Sequence, residues 1–327
     1  LARHLETTVE NYPIAGEFRI SRGAKTMAEV VVCTITDQGF TGRGECVPYK
    51  RYGETMDSVA QAIACMADRI GQCMDRTALL AAMTPGAARN AIDCALWDLD
   101  AKMSGIAVTT RLALPDPKPL VTAYTLSLGE PEAMAKQAAQ YAHRDLLKVK
   151  LGAEDDESRI RAVRAGAPNA ALILDANEGW NEDNLARMLA IAAECGVALV
   201  EQPLPAGQDA RLAEISHPVL ICADESVHQT RDLASLSNRY DAVNIKLDKT
   251  GGLTEALAMK AEAQRLGFKI MVGCMVGSSL AMAPAVLLAQ DADYVDLDGP
   301  LLLARDIAPA LVYEGSQVRP PAPALWG

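Results

Sequence analysis

Two regimes of apolar and polar spacing divide the chain. In the first, AEVVVCTITDQGFTGRGECVPY runs apolar or alternating on either side of Asp37-Gln38-Gly39, which predicts two strands joined by a tight turn. Helical spacing follows from Ser58 to Ile70 and in AARNAIDCALWDLDAK, where Ala88, Ile92, Ala95, Leu96 and Leu99 repeat on one face. LALPDPKP, with three prolines, reads as a linker. In the second regime, strand-like runs appear at LVTAYTLSL, LLKVKL, ALILDAN, ALVEQP, PVLICADES, AVNIKLD, KIMVGCM and YVDLDGP. Most begin roughly 20 to 27 residues after the last, with Ala-, Glu- and Arg-rich helical segments between them. Eight strands alternating with helices predict a (β/α)8-type barrel, repeated in structure and not in sequence motif. The Pro-rich end, SQVRPPAPALWG, does not fit another such unit and is expected to fold back on the N-terminal part.

Composition narrows the partners. Half of the 327 residues are hydrophobic but only 4% are aromatic, so the core is aliphatic. A net charge of −11 argues against nucleic acid and anionic membranes, and leaves small molecules and cations. The eight cysteines are scattered singly without a CxxC pair, which favours free thiols over disulfides or a zinc site. LARHLETTVE lacks a signal pattern and no window has the apolar length of a membrane span, so a soluble, cytoplasmic protein is expected. No interface stripe declares itself, and a homo-oligomer is compatible with the pattern.

Barrel chemistry gathers at the C-terminal ends of the strands. Read in order, those ends carry Lys148 and Lys150, Asp175, Glu201, Asp224, Lys246, then Asp296 and Asp298. A lone carboxylate there is usually a turn former or helix cap, and a lone lysine usually reaches for solvent. Five consecutive strands each delivering a charge from an apolar run have no such ordinary account. Asp175, Glu201 and Asp224 would converge as three oxygen ligands, and hard oxygen donors without a Cys or His partner favour Mg²⁺. None of the four histidines has ligand spacing; His228 alone comes near the rim and reads as structural.

Lys148 and Lys150 are two apart on a strand, so both leave one face. The carboxylates and a metal supply their countercharge, and the metal can hold a substrate carboxylate and stabilise an enediolate. Crowding of one ammonium by the other, with desolvation, would bring a lysine base toward neutral pH. Lys150, farther along, is the expected base, with Lys148 polarising the carboxylate. Lys246, four strands away, would face the opposite side of a central carbon, which suits inversion of that carbon. Lys249 in LDKTGG is its rival, but lies beyond the end of the apolar run.

KVK, DAN, EQP, ADES and NIK together resemble the muconate-lactonizing subgroup of the enolase superfamily. RGECVPYKRYGE, PGAARNAIDCALWDLDAK, DANEGW, EQPLPA, ICADES, VNIKLDKTGGLTEAL and DLDGP narrow the resemblance to the dipeptide epimerases, over nearly the whole chain. It implies a modified (β/α)7β barrel (residues 114–304) under an α+β capping domain (1–113 with the tail 305–327). It implies one Mg²⁺ and inversion of the C-terminal residue of a dipeptide, L-Ala-L-Glu to L-Ala-D-Glu, by two bases in murein peptide metabolism. By the same analogy Lys150 faces the L-centre and Lys246 the D-centre. Asp296 would receive the dipeptide's ammonium with Asp298 supporting it. Arg22 in FRISRGAK would suit a glutamate side chain, although from its residues alone it reads equally as a solvated arginine. The loop bearing Tyr49, Arg51 and Tyr52 would close over the pocket. Other readings are a dipeptide epimerase of different side-chain preference, an o-succinylbenzoate synthase or cycloisomerase, and a barrel scaffold without catalysis. The DxD, useless to a substrate without an amine, weighs against the synthase and cycloisomerase. The retained carboxylates and lysines weigh against the scaffold.

Overall fold

The structure, a computed structural model, describes residues 3–114, 116–152 and 154–327. It opens with a three-stranded antiparallel sheet, β1 (His4–Ile20), β2 (Gly23–Asp37) and β3 (Phe40–Cys46). The β2–β3 turn falls where the sequence puts it, with Gln38 and Gly39 both at positive φ (51° and 87°), as a two-residue hairpin of this hand requires. Ser21 and Arg22 form the tip of the β1–β2 hairpin. The helical run from Ser58 to Ile70 is divided, into α1 (Met56–Ala64) and α2 (Ala67–Gly71); α3 (Arg76–Ala82) and α4 (Ala87–Ser104) complete the layer. β3 meets α4 backbone to backbone: a Cβ added at Gly44 would stand 2.1 Å from the Ala91 carbonyl oxygen. Short α5 (Val108–Arg111) leads into the linker.

LVTAYTLSL does not make one strand. β4 (Leu120–Val121) pairs outside the barrel with the hairpin β13 (Tyr313–Glu314) and β14 (Gln317–Val318), and only β5 (Tyr124–Leu126) enters the barrel sheet. The parallel sheet continues through β6 (Leu146–Lys150), β7 (Ala171–Asp175), β8 (Leu199–Glu201), β9 (Leu220–Ala223), β10 (Ala242–Ile245), β11 (Lys269–Gly273) and β12 (Tyr294–Asp296). Ala123 N donates to Val295 O at 2.8 Å, bringing the first and last strands together. Between strands lie α6 (Pro131–Gln140), α7 (Asp156–Gly166), α8 (Glu182–Glu194), a 3-10 turn, α9 (Leu233–Leu236), α10 (Leu247–Thr250) with α11 (Leu253–Arg265), and α12 (Ser279–Leu288). A 3-10 turn follows β12, so the architecture is (β/α)7β.

The tail does reach the N-terminal layer: Trp326 is buried and donates from Nε1 to Cys94 O of α4 at 3.1 Å. Its hairpin, however, belongs with β4. The eight cysteines are free thiols; five are buried, while Cys65 and Cys73 are exposed. No helix among the described residues is long and apolar enough to cross a membrane.

Inside the barrel, seven strands each give one residue to a buried floor: Ala123, Leu146, Ile173, Leu199, Cys222, Ala242 and Met271, with Tyr294 packed against it. Strand side chains alternate, so the next inward residue lies two positions on. That step reads Thr125, Lys148, Asp175, Glu201, Asp224, Asn244, Gly273 and Asp296. Lys150, Lys246 and Asp298 lie one further step toward the mouth. An aliphatic floor therefore carries a polar ring by period alone.

Candidate active site

Register brings three of the charged residues side by side: Lys150 is level with Asp175, and Asp175 with Glu201. All three are buried, as are Lys148, Asp224, Lys246, Asp296 and Asp298. Lys148 Nζ lies 2.7 Å from Asp296 Oδ2, 2.7 Å from Glu201 Oε2 and 3.2 Å from Asp175 Oδ2. The Glu201 contact is an ion pair without hydrogen-bond alignment, so Glu201 Oε2 is buried and receives no hydrogen bond. Lys150 Nζ donates to Asp175 Oδ2 at 2.6 Å, and Lys246 Nζ to Asp224 Oδ2 at 2.6 Å. Unpaired, charges at this depth would be untenable; here each lysine has a carboxylate.

This pairing alters the expected tuning. Burial alone would lower the Lys148 ammonium, but Asp296, Glu201 and Asp175 hold it well above the usual lysine range. Lys246 is likewise held up, burial being overcome by Asp224 and Glu201. Repulsion from Lys148 does act on Lys246, but the carboxylates outweigh it. Conversely, burial raises Asp175 and Asp224, yet the lysines beside them bring both net below the usual carboxylate range. Glu201 is pushed up, first by burial and then by Asp175.

Among the described residues no three Asp, Glu, His or Cys side chains form a ready metal cage, since ammonium groups stand between the carboxylates. The donor set nonetheless fits Mg²⁺. Asp175, Glu201 and Asp224 come from adjacent strands, all donors are hard oxygens, and Glu201 Oε2 has a buried acceptor position unfilled by any hydrogen bond.

On the last strand Asp298 Oδ2 accepts from Thr125 N at 2.6 Å, and burial with neighbouring Asp296 pushes its carboxyl up to about 7. Asp296 Oδ1 is buried and receives no hydrogen bond. Arg22 reaches in from the hairpin tip, its side chain still 30% exposed but ion-paired to the barrel loops. It donates to Glu225 Oε1 (2.7 Å), Glu178 Oε2 (3.1 Å), Asn177 O (3.1 Å) and the Tyr49 hydroxyl (3.1 Å). Arg51 donates to both Glu178 oxygens, at 2.9 and 3.0 Å. The Tyr52 ring packs edge-on against His228 at 4.5 Å. Thus the two loops of the N-terminal layer meet the barrel mouth at Glu178, Glu225 and His228. Glu178 and Glu225 escaped the sequence reading because each follows a more conspicuous neighbour, in DANE and ADE.

Residues 2–112 match the model for the mandelate racemase / muconate lactonizing enzyme N-terminal domain, and residues 133–322 that of the enolase C-terminal domain-like family. The chain belongs to the enolase superfamily. Within it, this member is 44% identical to the L-Ala-D/L-Glu epimerase of Escherichia coli K12, over 95% of the chain and 98% of that relative. It is 45% identical to an N-acetyl-D-glutamate racemase of a Pseudoalteromonas species, over 91% of the chain and 95% of that relative. Among solved structures, it matches an Agrobacterium tumefaciens enolase family member described as having homology to dipeptide epimerases, with bound sodium and L-Ala-L-Glu. That likeness has a TM-score of 0.98 at 62% identity and covers 99% of this chain and 100% of the other.

Proposed function

We propose that this enolase-superfamily protein is a Mg²⁺-dependent dipeptide epimerase that inverts the α-carbon of the C-terminal residue, with L-Ala-L-Glu and L-Ala-D-Glu as substrates. One observation carries the reading: Lys150 and Lys246 approach the row Asp175–Glu201–Asp224 from its two ends, each within 2.6 Å of a terminal carboxylate. A carbon held over that row has an amine on each side, so one lysine takes the α-proton and the other returns a proton from the opposite face. Asp175, Glu201 and Asp224 would hold Mg²⁺, which would supply positive charge to the substrate carboxylate and countercharge to the row that the lysine ammoniums now neutralise.

Lys148, on three carboxylates at once, puts an ammonium beside the place where the substrate carboxylate docks. Asp296, with Asp298 beside it, suits the dipeptide ammonium, and Arg22 with Tyr49 suits an acidic side chain. We assign residues 1–113 to the cap and 114–304 to the barrel; of the tail 305–327, the end joins the cap through Trp326 on α4, while the hairpin β13–β14 stays with β4 on the barrel side.

A second substrate class follows from Lys148 meeting Asp296 at 2.7 Å. With that carboxylate already paired, an N-acylated glutamate lacking the ammonium could be accepted, and a relative is named for such a racemisation.

The test is α-proton exchange in D₂O with Mg²⁺, followed by NMR, for L-Ala-L-Glu, L-Ala-D-Glu and N-acetyl-glutamate. Deuterium with inversion of the dipeptides is expected. Lys150→Ala and Lys246→Ala should each abolish exchange from one epimer and spare it from the other. Inversion of N-acetyl-glutamate alone would transfer the function to the second class. Exchange without inversion in wild type would overturn the two-base assignment.

A further inference from the structure

Lys249, in short α10 just past Lys246, is as deeply buried as the lysines at the centre. Its ammonium does not face a substrate. It meets three oxygens: Asp224 Oδ1 at 2.5 Å, the Asp224 carbonyl at 2.6 Å and the Asn244 carbonyl at 2.9 Å. An ammonium has three N–H groups, and each of these has its acceptor. No position is left over for proton traffic with a ligand.

Asn244, in the polar ring between Asp224 and Gly273, completes the arrangement. Its side chain is fully buried and Nδ2 donates to Glu201 Oε1 at 2.7 Å. Its Oδ1 has no hydrogen-bond partner and lies against β11. Space for it exists because position 273 is glycine: an added Cβ would stand 2.6 Å from Asn244 Oδ1 and 2.8 Å from Nδ2. One residue of β10 thus supports two carboxylates, Glu201 by its amide and Asp224 through the lysine held on its carbonyl.

The result is a division of labour within each carboxylate. Asp224 gives Oδ1 to Lys249 and presents Oδ2 to Lys246 at the centre; Glu201 gives Oε1 to Asn244 and presents Oε2, which receives no hydrogen bond. We propose that Lys249 and Asn244 are positioning residues of the metal site, fixing the outer oxygen of Asp224 and of Glu201 so that the inner oxygens converge on the cation. This assignment rests on the reading of Asp175, Glu201 and Asp224 as Mg²⁺ ligands. It removes Lys249 from the proton-transfer pathway.

The experiment measures Mg²⁺ binding to chelator-treated protein by titration calorimetry, beside thermal melts in chelator and α-proton exchange at saturating Mg²⁺. Variants are Lys249→Met, Lys249→Arg, Asn244→Ala and Gly273→Ala, with Asp224→Asn as the ligand control. Lys249→Met and Asn244→Ala should each weaken Mg²⁺ about ten- to a hundred-fold, the usual effect of removing a group that orients a ligand. Lys249→Arg should recover part of the loss. Excess Mg²⁺ should restore exchange from both epimers, raising the Mg²⁺ requirement more than it lowers kcat. Gly273→Ala, which displaces Asn244 without touching a charge, should weaken Mg²⁺ as well, and carries the test with Asn244→Ala if Lys249→Met gives no cooperative melt.

Unchanged Mg²⁺ affinity in folded Lys249→Met and Asn244→Ala overturns the proposal. So does loss of exchange from only one epimer of Lys249→Met at saturating Mg²⁺, which would make Lys249 a base. If Asp224→Asn binds Mg²⁺ as well as wild type, the ligand assignment itself fails and the proposal with it. The control therefore separates the two failures.

Discussion

Glu45 joins the N-terminal layer to the barrel and should make that junction sensitive to pH. It is 1% exposed on β3 and accepts from Ser278 N at 2.8 Å, with the Ser278 hydroxyl on its other oxygen. Burial, only partly offset by Ser278, pushes its carboxyl up to about 8, against about 4.3 for an unfolded glutamate. Between those values the folded chain binds more protons than the unfolded chain. The contribution to stability is therefore full below the unfolded value and is lost as pH rises toward and through the folded one. The slope is about 1.4 kcal/mol per pH unit, flattening near the upper end, so roughly 2 kcal/mol should disappear between pH 6 and 8. For a chain of 327 residues that corresponds to about 3 °C in Tm. Asp248, raised to about 7, and Asp93, raised to about 6, act with the same sign, so wild type alone does not isolate Glu45. Glu45→Gln keeps the shape and removes the titration. Calorimetric melts of both proteins from pH 5 to 9 should show wild type losing about 3 °C more than the variant between pH 6 and 8. Parallel curves would refute the reasoning.

Gly44→Ala should destabilise by about 3 kcal/mol or prevent folding, because its Cβ meets the Ala91 carbonyl of α4 and neither backbone can yield cheaply; denaturant melts check this. Arg22→Leu should raise KM for L-Ala-L-Glu about ten- to a hundred-fold, the value of a charge-assisted hydrogen bond, while leaving a neutral dipeptide nearly unaffected. Steady-state kinetics on the pair separate the two effects. Chelation should abolish turnover, and Mg²⁺ at about a hundred times its dissociation constant should restore it and stabilise the fold by about 2.7 kcal/mol. Turnover persisting in chelator would remove the metal from the function.

Much of this site was legible because strands impose a period of two. Lys148 and Lys150 share a face by that period, and the carboxylates of LDAN, VEQP and ADES each occupy the same step above an apolar residue. Lys249 was not legible in the same way: spacing puts it beyond the strand, and only the turn into α10 brings its ammonium back onto Asp224. Lys148 looked like a tuner of Lys150, yet its hydrogen bond goes to Asp296 on β12, a partner 148 positions away. The division of LVTAYTLSL between two sheets was hidden because β4 takes its partner from the far end of the chain. Arg22 was ambiguous for a similar reason, since Glu178 and Glu225 come from two barrel loops.

The apolar floor beneath the polar ring has a consequence for isotopes. Ala123, Leu146, Ile173, Leu199, Cys222, Ala242 and Met271 close the barrel from below; the one thiol among them, Cys222, is held protonated by burial and is a poor relay for a hydrogen. The route to bulk water for a hydrogen taken from the α-carbon then leads toward the mouth, where Arg22 and Tyr49 meet and Tyr52 packs beside them. On the proposed role of Arg22, the hairpin tip that selects the side chain would also govern how often an abstracted hydrogen returns to its own carbon, and how much solvent label appears per inversion.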